Sequence, residues 1–177
     1  MATPPNKEVH IFEAKLQNLK ELTDIARRSF LQAYPQNTDY QNMDLYLKKA
    51  FAENELEVQL SNPCSVFFIM KNGETNMGYA KLRWDRTPAY FINTKAIELE
   101  RLYFLDDYKG KGFGTQFLRF CFDFSLEKDF EWMWLLVWEK NISGIQFYEK
   151  KGFEIFGRKT FHFGDDSSED ILMKLRM

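Results

Sequence analysis

Three glycines and two lysines fall within seven positions, Lys109-Gly110-Lys111-Gly112-Phe113-Gly114-Thr115, and no other part of the chain bears so directly on chemistry. Glycine lacks the Cβ that would hold a ligand away from the backbone. Exposed backbone N–H groups at the start of a helix make a site for an anion, usually phosphate. The flanking sequence supports this arrangement. The apolar run at 96–104 reads as a strand leading in, and TQFLRFCFDFSLEK reads as a helix leading out.

Two common phosphate cradles do not fit. The spacing is GxGxGT rather than the GxGxxG of dinucleotide folds, and five residues, Leu105–Lys109, separate the strand from Gly110. More than half of the chain also precedes what should be the first strand–helix unit of such a fold. A P-loop is excluded because no Lys-Ser or Lys-Thr follows the last glycine.

The elements that must position this turn follow from periodicity. Val9–Glu13 reads as a short strand. Asn18 is expected to cap a helix of about 15 residues with Leu19, Leu22, Ile25, Ala26 and Phe30 on one face. Tyr34-Pro35-Gln36-Asn37 breaks it, and Asp39 opens a second helical pattern that runs through Phe51. A third, shorter helix passes Leu56 and Leu60 and stops at Ser61-Asn62-Pro63. Ser65–Lys71 and Met77–Trp84 flank Asn72-Gly73, a hairpin signal with a connection read as longer than two residues.

A polar loop, Asp85–Thr94, leads to the strand at 96–104, the glycine turn and a helix over about residues 112–128. A strand at Trp132–Trp138 and a helix at Asn141–Lys151 follow, the helix ended by Gly152. Phe153–Phe156 and Ile171–Leu175 form the last strand pair, joined by the acidic turn Gly164-Asp165-Asp166. Within 96–104 the parity of apolar positions switches between Leu99 and Leu102. A β-bulge near Glu100–Arg101 would produce that switch, as would a strand covered on both faces. The expectation is a single α/β domain with a mixed sheet over 8–177, preceded by a loose leader at 1–7.

Composition narrows the function. The 177 residues include 18 Phe, 8 Tyr and 4 Trp, enough apolar material for a substantial core. A formal net charge of −2 argues against a nucleic-acid partner. No apolar run is long enough for a membrane helix, and MATPPNKE has no apolar signal core. Cys64 and Cys121 are isolated and expected to be buried reduced thiols, which points to the cytoplasm. His10 and His162 have no partner at ligand spacing, so no metal is expected.

Leu102–Gly114 resembles motif A of the GNAT acetyltransferases, Arg/Gln-x-x-Gly-x-Gly/Ala. It matches as Lys109-Gly110-Lys111-Gly112-Phe113-Gly114, with Lys109 in place of the usual Gln or Arg. VWEKNISGIQFYEKKGF resembles motif B, with Asn141 at the helix start and Tyr148 in FYEKKGF. The resemblance implies a GNAT fold, a mixed and mostly antiparallel sheet with splayed fourth and fifth strands (96–104 and 132–138) and flanking helices. It implies acetyl-CoA as co-substrate and no metal.

Backbone groups of Leu102, Tyr103 and Phe104 would then pair with the pantetheine arm. The amides of Lys109, Gly110, Lys111, Gly112, Phe113, Gly114 and Thr115 would hold the pyrophosphate. Asn141 would bond the pantetheine, cap its own helix, or do both. Tyr148 would protonate the leaving thiolate. An alkyl ammonium with a pKa near 10 is neutral in roughly one molecule per thousand at pH 7, so a base is required, and Glu98 and Glu100 are the candidates.

A narrower resemblance joins ELERLYFLDDYKGKGFG, LLVWEKN, FHFGDD and SFLQAYP…YLKKAF…LSNP to bacterial polyamine N-acetyltransferases of the spermidine/spermine type. It implies a small-molecule amine acceptor, neither nucleic acid nor membrane as partner, and a monomer or homodimer. A peptide N-terminal or other small-amine acetyltransferase, or an idle acyl-CoA-binding module, is the alternative. Trp84, Tyr90 and the acidic runs at Glu53-Glu55-Glu57, Asp106-Asp107 and Asp165-Asp166-Glu169-Asp170 are candidates for the acceptor side.

Overall fold

The computed structural model describes residues 9–33, 47–163 and 166–177, the side chains of 161–168 excepted. The strands are β1 (Val9–Ala14), β2 (Ser65–Asn72), β3 (Thr75–Arg83), β4 (Ala96–Phe104), β5 (Trp132–Trp138), β6 (Glu154–Phe163) and β7 (Asp166–Arg176). The helices that matter below are α1 (Leu19–Ala33), α2 (Glu53–Leu60), α3 (Phe113–Glu127) and α4 (Ile142–Glu149). One sheet runs in the order β1-β2-β3-β4-β5-β7-β6. β4 and β5 pair in parallel, Ala96–Glu98 against Trp132–Trp134. The pairs β1–β2, β5–β7 and β6–β7 are antiparallel. The fold is the expected mixed α/β class.

The chain divides into two compact units. The first runs to Lys81 and resumes over Arg101–Leu118; the second comprises Leu82–Glu100 and Arg119–Met177. In the first, the apolar stripe of α1 (Leu22, Ile25, Ala26 and Phe30) packs with Phe51, Leu56, Phe67, Ile69 and Tyr79. This is the helical periodicity of the sequence meeting the strand periodicity of β2 and β3. In the second, Phe91, Ala96 and Trp134 form a cluster against which Trp132, Leu136 and Phe156 lie. Phe91 belongs to a 3-10 turn, Ala89–Phe91, within the stretch read as a polar loop.

Several local expectations are corrected. Asn18 does not cap α1. It ends a 3-10 turn, and its Oδ1 accepts the Lys15 N–H at 3.1 Å, so α1 continues directly from that turn. The β2–β3 connection is two residues, Gly73-Glu74, with Gly73 at φ +59°. Backbone pairing does not stop where the apolar side chains stop, so both strands outrun their hydrophobic cores. For the same reason β6 and β7 are 10 and 11 residues long, well beyond Phe153–Phe156 and Ile171–Leu175.

Ala96, Ile97, Glu98 and Leu99 are all buried. Both faces of β4 are covered there, and apolar parity carries no information about a bulge. Cys64 is only half-buried, while Cys121 is fully buried. The start of the second helical pattern at Asp39 and the turn residues Gly164 and Asp165 lie outside the described residues. Residues 47–50 are helical, with Leu47 and Phe51 buried.

Candidate active site

In the first unit the approach to the glycine turn is tightly fixed. A Cβ on Gly78 would lie 2.4 Å from the Tyr103 carbonyl oxygen and 2.7 Å from the Phe104 ring, so only glycine lets β3 run this close to β4. The reading of the sequence passed over Gly78; its signal was a lone glycine inside a strand pattern. Tyr103 turns its ring into the core, stacked on Tyr79 with centroids 5.8 Å apart. Phe104 is buried against Phe117, and Leu102 is half-buried. Past the strand, the Leu105 N–H donates to the Met77 carbonyl at 2.9 Å, and a 3-10 turn, Asp106–Tyr108, follows.

The turn itself is held by backbone conformation. Gly110 and Gly112 sit at φ +71° and +88°, where a side chain is strained, and among the described residues, chain neighbours aside, no heavy atom lies within 4 Å of the position either Cβ would take. A space that only missing side chains leave open is what an anion cradle requires. Thr115 and Gln116 donate N–H bonds back to Gly112, closing the first turn of α3. The Tyr108 and Phe113 rings meet edge to face at 6.2 Å and brace the turn from both ends.

Lys109, Lys111 and Thr115 are exposed, and Phe113 and Gly114 are half-buried. No acidic residue lies in the first turn of α3, so its positive dipole end is left uncompensated. Lys109 is paired with Asp106 at 2.6 Å.

In the second unit Glu98 and Glu100 belong to a network that the sequence reading did not anticipate. The Glu98 side chain is 2% exposed. Arg86 clasps it with two bonds, Nε to Oε2 at 3.0 Å and Nη2 to Oε1 at 3.3 Å. Arg86 Nη2 also lies 3.9 Å from Glu100 Oε1. Arg83 contacts Asp85 at 2.6 Å and Glu100 Oε2 at 3.4 Å.

Burial pushes the Glu98 carboxyl above the usual carboxylate range, against the lowering effect of Arg86. Burial opposes the charge of Arg86, but its bonds and the surrounding carboxylates hold it above the ordinary arginine value. The only trace of this network in the sequence was RWDR, three charges within the four residues after the buried run of β3. Glu98 is in register with Trp134, which is buried and whose Nε1 has no hydrogen-bond partner among the described residues.

Asn141 caps α4: its Oδ1 accepts the Gly144 N–H at 3.0 Å and the Ser143 hydroxyl at 3.2 Å. A Cβ on Gly144 would strike the Asn141 side chain at 2.6 Å, so this glycine, also passed over, makes the cap possible. Tyr148 is half-buried, its ring 5.1 Å from Phe147 and 5.4 Å from Phe153. The end of α4 is pinned at the same residue. The Tyr148 carbonyl accepts from Lys151 and Phe153, and Gly152 takes φ +89°. Burial pushes the Tyr148 phenol well above its ordinary value, with Cys121 adding to the effect. The Cys121 thiol is likewise raised by burial and behaves as core.

Of the proposed acceptor-side residues, Trp84 packs on Phe130 with centroids 5.7 Å apart. Tyr90 holds the Lys174 ammonium, which lies 4.0 Å from its ring centre and 5.2 Å from that of Trp132. Glu53, Glu55, Glu57, Asp106 and Asp107 are exposed. Asp170 is half-buried, and burial raises its carboxyl. Among the described residues no helix is long and apolar enough to cross a membrane. Nor, among those residues, do three His, Cys, Asp or Glu side chains converge as a metal site would require.

The family model for the acetyltransferase (GNAT) family matches residues 19–153. Over 170 residues the chain is 30% identical to the uncharacterized N-acetyltransferase in the pepI 3′ region of Lactobacillus delbrueckii subsp. lactis, covering 94% of this chain and 96% of that one. Among solved structures it resembles the PaiA N-acetyltransferase of Thermoplasma acidophilum in complex with coenzyme A. The TM-score is 0.78 at 21% identity, with 96% and 99% of the two chains covered. It also resembles the ribosomal-protein-S18-alanine N-acetyltransferase of Escherichia coli, with a TM-score of 0.71 at 17% identity and coverage of 96% and 94%. At these identities the structural likeness speaks to fold.

Proposed function

The chain belongs to the acetyltransferase (GNAT) family, and from that premise we propose that its acetyl-CoA-dependent N-acetyl transfer serves a polycationic primary amine of the spermidine or spermine kind. The observation that carries the acceptor class is the carboxylate pair on β4, one member buried and both already in contact with cations. A site that stabilises guanidinium groups has the charge and hydrogen-bond acceptors for alkyl ammonium groups.

Acetyl-CoA, when bound, brings the acetyl thioester. In the first unit, the left-handed glycines, the open space above them, exposed Lys111 and the uncompensated start of α3 suit its pyrophosphate. The backbone of Leu102–Phe104 and the amides from Lys109 to Thr115 are the groups we assign to holding it. In the second unit, Asn141 caps α4 through one oxygen, which leaves its amide nitrogen for a ligand.

The acceptor arrives as an ammonium and must lose a proton before its nitrogen can attack. Glu98 is assigned as the base. A carboxyl raised by burial lies closer to neutrality and takes a proton more readily than a solvated one. Glu100 stands by as the second carboxylate. Any tyrosine phenol is protonated at neutral pH, and burial raises that of Tyr148 further, so Oη holds a proton for the departing thiolate.

A thiol-release assay over spermidine, spermine, monoamines, amino acids, aminoglycosides and peptide N-termini tests the reading. Preferred turnover of the polyamines is expected. Turnover confined to peptide N-termini would replace the acceptor class, and tight acetyl-CoA binding with no acceptor would make the chain a binding module.

A further inference from the structure

We propose that Arg86 determines acceptor specificity: its guanidinium holds, in the absence of substrate, the place on the Glu98–Glu100 pair that an ammonium group of the acceptor takes on binding. This deepens the amine reading above and rests on it. Three features of the cluster support the exchange.

The first is position. Arg86 lies on an irregular stretch after β3, its side chain 51% exposed, while the Glu98 side chain beneath it is 2% exposed. A half-exposed cation on a loop thus covers a carboxylate fixed in a strand. The second is occupancy. Both Glu98 oxygens are engaged in the Arg86 fork, and a carboxylate so engaged offers a poor landing point for a proton. Arg86 must withdraw, wholly or in part, before Glu98 can act. The third is charge. Arg83 and Arg86 face Asp85, Glu98 and Glu100, two positive groups against three negative ones. Arg83 is committed to Asp85 and Glu100, so withdrawal of Arg86 would leave Glu98 buried without its hydrogen-bonded cation, which is strongly unfavourable.

An arriving alkyl ammonium removes that penalty, because it brings the same charge and its own N–H donors. An uncharged amine brings N–H donors but not the charge. The exchange therefore admits cations and rejects uncharged amines of similar shape, a specificity built from the cost of the empty state. Once the ammonium is seated, its N–H proton passes to a Glu98 oxygen. This leaves a neutral amine and a carboxylic acid, which no longer needs a compensating cation.

Calorimetric titration of spermidine into the wild-type chain, Arg86→Gln, Arg86→Lys and the double variant Arg86→Gln/Glu98→Gln tests this. Arg86→Gln is expected to bind spermidine about tenfold tighter than wild type, within the range of close charge-pair couplings. Arg86→Lys, which keeps the charge but loses the fork, should gain less, and the double variant should lose the gain. Acetyl-CoA affinity should not change.

Spermidine binding unchanged or weakened in Arg86→Gln, in a chain with wild-type circular dichroism, overturns the proposal. If Arg86→Gln does not fold, Arg86→Lys decides by the same criterion. Turnover separates the two readings. A chain that transfers no acetyl group yet gains spermidine affinity in Arg86→Gln loses only the transfer reading. A chain that acetylates polyamines with no lower KM in Arg86→Gln loses only the role of Arg86.

Discussion

The glycine turn and the carboxylate pair solve opposite problems. The turn, as assigned, presents backbone to a ligand through seven consecutive residues, two of them at positive φ with open space among the described residues where a Cβ would lie. The carboxylate pair must keep a charge in a buried place. That requires side chains from the end of β3, the following loop and β4, arranged so that each carboxylate meets an arginine. A backbone site depends on conformation and is local in the chain. A buried charge depends on compensation, and its partners come from wherever the fold can bring them.

The sharpest way to break this contrast is to disable one region and read the other. Glu98→Gln should lower kcat by roughly 10²–10⁴-fold, the usual worth of a general base, while calorimetry finds acetyl-CoA affinity unchanged. Affinity lost along with turnover would mean the two regions are not separable. Tyr148→Phe should give a loss in the same range, roughly 10²–10⁴-fold, in single-turnover rates. Its melting temperature should stay near wild type, because the ring keeps its contacts with Phe147 and Phe153. A wild-type single-turnover rate would reduce Tyr148 to packing.

Gly112→Val should act on the turn alone. A β-branched residue at φ +88° carries strain of about 1–3 kcal/mol, and its methyl groups enter the space assigned to phosphate. Acetyl-CoA should bind about tenfold to a hundredfold more weakly, with spermidine binding intact. Equal affinity for acetyl-CoA would mean the pyrophosphate is held elsewhere.

The pH dependence sharpens the contrast further. Burial raises the Glu98 carboxyl, so the rising limb of kcat/KM should lie above the ordinary carboxylate range. Arg86 lowers that value, so Arg86→Gln should move the limb to higher pH, because fewer molecules then hold an ionised base at a given pH. A limb unmoved by Arg86→Gln would take Glu98 out of the base role. The smallest effect is expected at Lys109. It is exposed and already paired with Asp106, so Lys109→Ala should weaken acetyl-CoA binding by less than about 1 kcal/mol, and the difference should shrink with added salt.

Much of this was legible from local patterns. β4, β5 and the hairpin each carried their own apolar runs, and the GKGFG stretch gave away its turn because positive φ selects glycine at the residue itself. Strand lengths were less legible: β6 and β7 outran their apolar segments, since ladder bonds form between backbones of any side chain. Gly78 and Gly144 were missed because the atoms that exclude a Cβ there belong to Tyr103 and Asn141, and a contact partner cannot be read from the residue it restricts.

The sequence by itself determined the mixed α/β class, the glycine turn at the head of α3 and the two glutamates alternating with apolar residues on β4. Those features follow from single-residue conformational preference and from periodicity, both of which are written along the chain. Only the tertiary structure decided that Glu98 is buried while Glu100 is half-buried, that Arg86 rather than solvent satisfies Glu98, and that burial raises the Tyr148 phenol. Burial and charge compensation depend on which groups the folded chain brings within a few ångströms of one another, and that neighbourhood exists only once β3, its loop and β4 have packed.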